Sequence, residues 1–209
     1  MIIILFIVLG LPKVAGAEGT LSMTAKAGFN GYVRTGEPVS FAVEIKNPGP
    51  EIKGSLQVSC NQSGSRVVYS RQVVLPRGAH KSFNLYASDD QSQSFNLRLM
   101  VADKELVSSR VKVTRLPPQE MIVGVLSSNL EALNYLGAMK LPGNAQRVTV
   151  IHLDAKDIPP NSIMLESIDV LALTDFSSHN LNHEQLVSIQ SWVESGGALV
   201  TCGGASWQK

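Results

Sequence analysis

The sequence has little cysteine, few aromatic side chains and no excess of charge of either sign. Its 209 residues include two cysteines and 6% aromatics, and the formal net charge is +1. Cys60 and Cys202 lie far apart, so they form no disulfide framework, and no Cys/His cluster has the spacing of zinc ligands. Without a basic patch or a set of aromatic rings, the chain lacks the surfaces that bind nucleic acid. The sequence therefore predicts no metal, no cofactor and no nucleic-acid partner.

A membrane-spanning hydrophobic run is missing as well. The apolar stretch at residues 1–11 is shorter than the about 20 residues that cross a bilayer. It is followed by the small-residue pattern Ala15-Gly16-Ala17, which a signal peptidase can accommodate. This order predicts a signal peptide over residues 1–17, cleaved after Ala17, and an exported protein of the extracellular space or cell envelope. Because no Lys or Arg precedes the apolar run, an uncleaved anchor and a start codon placed a few residues late stay open as alternatives.

Residues 18–116 have the pattern of short strands. Residues 39–46 alternate strictly between apolar and polar side chains, so every second one is expected on a buried face. These inward-facing residues are Val39, Phe41, Val43 and Ile45. Further strands are expected at residues 55–60, 66–75, 81–87, 94–101 and 106–116. Turn residues separate them and no helical period intervenes, so the sequence predicts an all-β antiparallel sandwich of about seven strands.

Two prolines, at positions 117 and 118, mark a stiff connector over residues 117–120, and the pattern changes after it. Continuously apolar strands are expected at residues 121–126, 147–153, 168–175 and 198–202. Helices are expected between them, the first over residues 130–139 with Leu133 and Leu136 inward. Alternating strands and helices predict a second, α/β domain over residues 121–209, with a mostly parallel sheet whose strands are covered on both faces.

The helix that follows residue 182 has the clearest signals at both ends. Asn182 and Gln185 have the spacing of a capping box, and a glycine pair at 196–197 ends the helix. The residues expected to face inward are Leu186, Ile189 and Val193, with Trp192 beside them.

Three segments carry a family resemblance: residues 169–175 (DVLALTD), 181–186 (LNHEQL) and 192–200 (WVESGGALV). Together they resemble the class I glutamine amidotransferase-like superfamily. A sandwich in front of such a domain is similar to the arrangement in exported bacterial surface proteins that are usually longer and end in a membrane-spanning helix. The resemblance implies a truncated, flavodoxin-like α/β domain over residues 121–209, and it implies membrane anchoring only in a longer parent protein.

The resemblance also implies where a nucleophile would lie. In active members a cysteine occupies a sharp G-x-C-x-G turn, and this chain has Cys202 and Gly204 at the matching positions but Val200 in place of the first glycine. The catalytic His and Glu of the family come from a later strand, and none of the seven residues after Cys202 is His or Glu. The expectation is a catalytically silent domain, in which Cys202 is a buried thiol at a strand end and at most a weak candidate for catalysis.

Ligand-binding candidates lie where the predicted parallel strands end. Asn129 follows the first of these strands, and Asp175 and His179 follow the third, at the edge where open α/β sheets bind ligands. The alternative is structural: Asp175 supports the turn at Ser177-Ser178, and His179 is solvated.

These observations favour a non-enzymatic cell-surface protein, a binding or structural module for a protein or small-molecule partner. One alternative is an exported hydrolase or amidotransferase whose catalytic His and Glu lie beyond Lys209. Another is a broken gene product without a stable function. Because the chain ends where a further helix is expected, we expect it to be a fragment of a longer surface protein.

Overall fold

The computed structural model describes residues 19–139 and 147–202. The predicted signal peptide, Gly203-Gly204 and the end of the chain lie outside the described residues. Most of the described chain is β-strand, with one α-helix, α1 (His183–Glu194), and four short 3-10 helices. Within these residues, no helix has the length and hydropathy needed to cross a membrane.

Two antiparallel sheets form the first part of the chain. The three-stranded sheet has the order β1 (Ser22–Ala27), β3 (Val39–Asn47), β6 (Ala79–Ala87). The four-stranded sheet has the order β5 (Ser65–Leu75), β4 (Ile52–Gln62), β7 (Ser94–Val101), β8 (Lys104–Lys112). We call them together the sandwich sheets, because they face each other across one hydrophobic core to which all seven strands contribute.

The alternation of β3 builds the centre of that core. The four residues expected to face inward, Val39, Phe41, Val43 and Ile45, are at most 1% exposed, which confirms the prediction. The Phe41 ring meets the Phe95 ring of the opposite sheet edge-on, with centroids 5.1 Å apart. The residues between them point away from the core, so the outer face of this sheet carries small and polar side chains.

The strand expected over residues 106–116 is two strands. β8 ends at Lys112, and β9 (Thr114–Leu116) then pairs in parallel with β2 (Tyr32–Arg34). The change of partner occurs at Val113, whose N–H donates to the Gln93 carbonyl, while the N–H of Thr114 donates to the Gly31 carbonyl. β1 and β2 were not expected from the sequence, because neither is a long apolar run.

A four-stranded parallel sheet follows, with the order β11 (Val148–Leu153), β10 (Met121–Ser127), β12 (Val170–Thr174), β13 (Ala198–Cys202). All three neighbouring pairs are parallel, as the alternation of strands and helices predicted. β10 is buried on both faces. At Gly124 an added Cβ would lie 2.9 Å from Leu153 Cδ1. The absence of a side chain at Gly124 therefore lets the Leu153 side chain pack directly against the β10 backbone.

The helix expected over residues 130–139 is replaced by turns and a 3-10 helix, Asn134–Ala138. Two features prevent an α-helix. The Asn129 side chain accepts a hydrogen bond from the N–H of Glu131 and forms a local turn, and Leu133 adopts a left-handed conformation at φ 63°. Leu133 and Leu136 still pack, half-buried, against one face of the parallel sheet, as expected.

The capping box of α1 is present, but of the three residues expected to face inward only Ile189 is buried. Asn182 Oδ1 accepts from the Gln185 N–H at 2.9 Å, and Gln185 Oε1 accepts from the Asn182 N–H at 3.0 Å. Leu186 and Val193, expected inside, are 42% and 38% exposed. The buried residues are Gln185, Ser188, Ile189 and Trp192. The helix is turned this way because Trp192 packs on Gly197, where an added Cβ would lie 2.2 Å from the indole.

β13 was expected to be a buried strand, and this is wrong. All five of its residues are exposed. It pairs with β12 at the edge of the described sheet, so it lacks the cover on both faces that β10 has.

Candidate functional site

At the carboxyl edge of the parallel sheet, one of the three ligand candidates, Asp175, contacts a residue that was not among the candidates. Ser128, which follows β10, donates a hydrogen bond from Oγ to Asp175 Oδ2 at 2.7 Å. Asp175 follows β12 and adopts a positive φ of 49°. It therefore links two loops and does not merely support the Ser177-Ser178 turn. Ser128 was missed from the sequence, because a lone serine after a strand carries no distinctive signal.

The other two ligand candidates make contacts within their own loops. The Asn129 side chain is used locally, since its Oδ1 accepts from the Glu131 N–H at 2.9 Å. His179 lies in an exposed 3-10 turn, with Nδ1 3.4 Å from the Ser177 hydroxyl. Among the described residues, the Ser128–Asp175 hydrogen bond thus joins two loops at this edge, whereas Asn129 and His179 make local contacts.

The two thiols differ in their exposure to solvent. Cys202 is exposed at the end of the edge strand, so its predicted burial is wrong. Cys60 is buried in the sandwich core, and this burial, with the nearby carboxylates of Asp90 and Asp89, raises its pKa to about 11. Cys202 is therefore the thiol that solvent reaches. Over residues 19–139 and 147–202, no group of three or more His, Cys, Asp or Glu side chains could hold a metal ion.

A cavity of about 590 Å³ lies between the outer face of the three-stranded sandwich sheet and the parallel-sheet part. One wall consists of side chains from β1, β3 and β6. The other wall consists of residues 156–160 and the start of α1. We call this cavity the inter-sheet groove. Its volume falls in the range of about 300–1,000 Å³ that is usual for small-molecule sites.

The sandwich wall of the groove is lined by neutral polar side chains. Strand alternation directs them outward, because their neighbours fill the sandwich core. They are Thr24, Ser40, Ser82, Asn84 and Tyr86. None of these five side chains makes a hydrogen bond within the described part of the chain. Burial raises the pKa of Tyr86, an effect that the Arg71 guanidinium partly offsets.

The opposite wall is held by α1. Gln185 Nε2 donates to the carbonyls of Ala155 at 2.6 Å and Ile158 at 2.9 Å. Ile158 is buried in the core of the parallel-sheet part, and this burial fixes the position of the Pro159-Pro160 pair that follows it. The sequence identified the Gln185 cap but gave no sign that its amide also holds this segment.

Arg34 of β2 joins the two parts of the molecule. Its Nη1 donates to the Pro118 carbonyl at 2.9 Å, its Nε donates to the Ser167 carbonyl at 3.2 Å, and its Nη2 forms an ion pair with Asp169. Asp169 in turn accepts from the Ile122 N–H at 2.7 Å. Arg34 therefore joins β2 both to the expected proline connector and to residues 167–169 before β12.

Charges in the groove nearly balance. Lys26 and Lys156 face Glu44, Asp157 and Glu184. Lys26 Nζ lies 3.9 Å from Asp157 Oδ1 across the groove. Lys156 pairs with Asp154 at 3.1 Å, and this hydrogen bond raises the pKa of Lys156. The groove therefore offers no strong field of one sign.

One family model matches part of the chain. Residues 20–114 match the model of a domain of unknown function, DUF8726. This match covers the sandwich sheets. No curated protein matches the chain.

Solved structures give distant likenesses. The solution NMR structure of the CARDB domain of PF1109 from Pyrococcus furiosus is 12% identical and covers 46% of this chain and 96% of its own, with a TM-score of 0.34. The crystal structure of the same domain in complex with di-metal ions is 16% identical and covers 46% and 90%, also at 0.34. A cycloisomaltooligosaccharide glucanotransferase of Paenibacillus sp., complexed with cycloisomaltoheptaose, is 11% identical and covers 85% of this chain and 28% of its own, at 0.31. At these scores the likenesses carry no inference about this chain.

Proposed function

We propose that this chain is an exported, non-enzymatic binding module of the cell surface or cell envelope. It consists of a β-sandwich domain over residues 18–116 and a catalytically silent, amidotransferase-like α/β domain over residues 121–209. The order of the parallel strands, β11-β10-β12-β13, supports the second assignment, because it equals the first four positions of the flavodoxin-like order 2-1-3-4-5.

The observation that carries the proposal is the inter-sheet groove. It has the volume of a ligand site, both parts of the molecule contribute to its walls, and hydrogen bonds from Gln185 and Arg34 hold those walls in place. A site with fixed walls loses little conformational entropy when a ligand binds, so more of the contact free energy appears as affinity.

The surroundings of Cys202 support a silent domain. A cysteine acts as a nucleophile when a nearby base or positive charge stabilises its thiolate. Within the described residues, Cys202 makes no hydrogen bond or ion pair with a basic side chain. Val200, which replaces the first glycine of the family's turn, continues β13 as an ordinary strand.

Export and rebinding test the proposal together. Protein recovered from the producing cells is expected to begin near Glu18 and to be found outside the cytoplasm. The same protein, purified and added to envelopes of those cells, is expected to bind saturably, because the groove accepts a component of the cell's surroundings. The measurements are N-terminal sequencing and equilibrium sedimentation with the envelopes. Intact Met1 in the cytosol, or binding that never saturates, would contradict the proposal.

A further inference from the structure

The chemistry of the inter-sheet groove limits what it can bind. Its lysines already have carboxylates nearby, since Lys26 lies 3.9 Å from Asp157 and Lys156 lies 3.1 Å from Asp154. A strongly charged ligand would meet charges of both signs, since Glu44, Asp157 and Glu184 lie in the groove with the two lysines. The groove therefore favours a ligand without net charge.

Donors and acceptors on the sandwich wall are neutral and available. The side chains of Thr24, Ser40, Ser82 and Asn84 line the groove and make no hydrogen bond within the described chain. Three hydroxyls and one amide can each donate and accept. Such a set matches a ligand that itself carries many groups able to do both, which is a property of hydroxyl-rich molecules.

Flat apolar surfaces complete the groove. Tyr86 is half-buried in the sandwich wall, and Pro159 and Pro160 lie in the opposite wall. An aromatic ring and proline rings offer contact area to the C–H faces of a ligand while its hydroxyls reach the polar side chains.

We infer that the inter-sheet groove binds a neutral carbohydrate chain. The inference rests on the proposed function and deepens it by naming the class of ligand. A sugar ring has apolar C–H faces and a rim of hydroxyls, so Tyr86 contacts a face while Ser40, Ser82 and Asn84 hydrogen-bond to the rim.

A peptide fits this groove less well. The floor is the face of a sheet, and the central strand β3 is already paired with β1 and β6, so a peptide lying on this face cannot pair its backbone with β3. Proline-rich peptides bind grooves lined by several aromatic rings, whereas Tyr86 is the aromatic side chain that the outward alternation of β6 places here.

The test uses envelopes of the producing cells in three portions: untreated, oxidised with periodate, and digested with protease. Periodate cleaves the vicinal diols of sugars and leaves the peptide backbone intact. Binding of the protein is expected to be lost after periodate and retained after protease. It is also expected to stay unchanged between about 0.1 and 1 M salt, because no charge pairing contributes. Loss of binding after protease treatment alone, or loss of binding at high salt, would overturn the inference while leaving a groove-binding function in place.

Tyrosine variants connect this binding to the groove. Tyr86→Ala is expected to weaken binding to untreated envelopes about tenfold, since it removes the ring contact. Tyr86→Phe keeps the ring and the fold and is expected to bind within about twofold of the parent protein. Tyr135→Ala, at an exposed position outside the groove, is the matched control and should bind normally. Equal binding by Tyr86→Ala and Tyr135→Ala would contradict the carbohydrate assignment. No saturable binding by the parent protein would instead contradict the proposed function itself.

Discussion

Replacing Arg115 with Met lowers the free energy of unfolding by about 3–5 kcal/mol, the usual cost of breaking a buried ion pair from one side. Arg115 Nη1 lies 2.7 Å from Asp89 Oδ1, and the Asp89 side chain is only 3% exposed. Without the guanidinium, the carboxylate remains in a site that water hardly reaches. The Ser92 carbonyl loses its donors as well, since Arg115 Nε and Nη2 bind it at 2.9 and 2.6 Å.

The effect is measured by urea unfolding of the full chain. Arg66→Met is the matched control, because Arg66 is exposed and makes a single hydrogen bond, to Ser59 Oγ. Its unfolding free energy should stay within about 0.5 kcal/mol of the parent value. If Arg115→Met changes stability no more than Arg66→Met, the Asp89 carboxylate is not buried as the structure has it.

The second large effect is expected at Arg34, which joins the two parts of the molecule. Arg34→Met removes donors to Pro118 and Ser167 and the ion pair with Asp169. We expect a loss of about 2–3 kcal/mol, less than at Arg115, because Asp169 is partly exposed and water can replace its partner. The groove walls should then move more freely, so the backbone amides of residues 156–158, which precede the proline pair, should exchange hydrogen faster.

The variant Arg34→Lys separates the contribution of the guanidinium's shape from the contribution of its charge. An ammonium group keeps the charge but lacks the planar fork that reaches three acceptors, so its stability should lie between those of the parent and Arg34→Met. Urea unfolding gives the stability, and hydrogen exchange gives the mobility of the wall. Unchanged exchange at the amides of residues 156–158 in Arg34→Met would mean that other contacts hold the groove together.

Local patterns in the sequence predicted the local parts of the fold. The alternation of β3 identified its buried face, and the Asn182 and Gln185 capping box identified the start of α1. Both depend on residues a few positions apart, so the sequence contains nearly all the relevant information.

The missed features depend on contacts between distant segments. The inward face of α1 is turned by the fit of Trp192 on Gly197 and by the hydrogen bonds from Gln185 to residues 155 and 158. The exposure of β13 follows from its place at the sheet edge, which strand composition does not specify. The continuously apolar sequences of the parallel strands predicted that each strand would be covered on both faces. β10 at the centre of the sheet is covered in this way, and β13 at its edge is not.

The groove could not have been predicted from the sequence either, because it too depends on contacts between distant segments. Strand alternation places Ser40 and Ala42 outside the sandwich core, where an isolated domain would leave them on an ordinary wet surface. They line a cavity only because Arg34 and the buried Phe29 fix the parallel sheet beside them. The candidates taken from sequence lay instead at the strand ends, where the general rule for α/β sheets directs attention.

Envelope binding by a variant whose groove is filled tests whether the ligand binds in the inter-sheet groove. Ala42 is exposed at the middle of β3 and lines the groove, so Ala42→Trp places an indole where the ligand would lie. Val68→Trp makes the same addition at an exposed position of β5 outside the groove and controls for the added surface. We expect Ala42→Trp to weaken binding at least about tenfold while Val68→Trp binds like the parent protein, with both variants unfolding at parent-like urea concentrations. Parent-like binding by a folded Ala42→Trp protein would contradict the account, because the ligand would then bind elsewhere on the molecule.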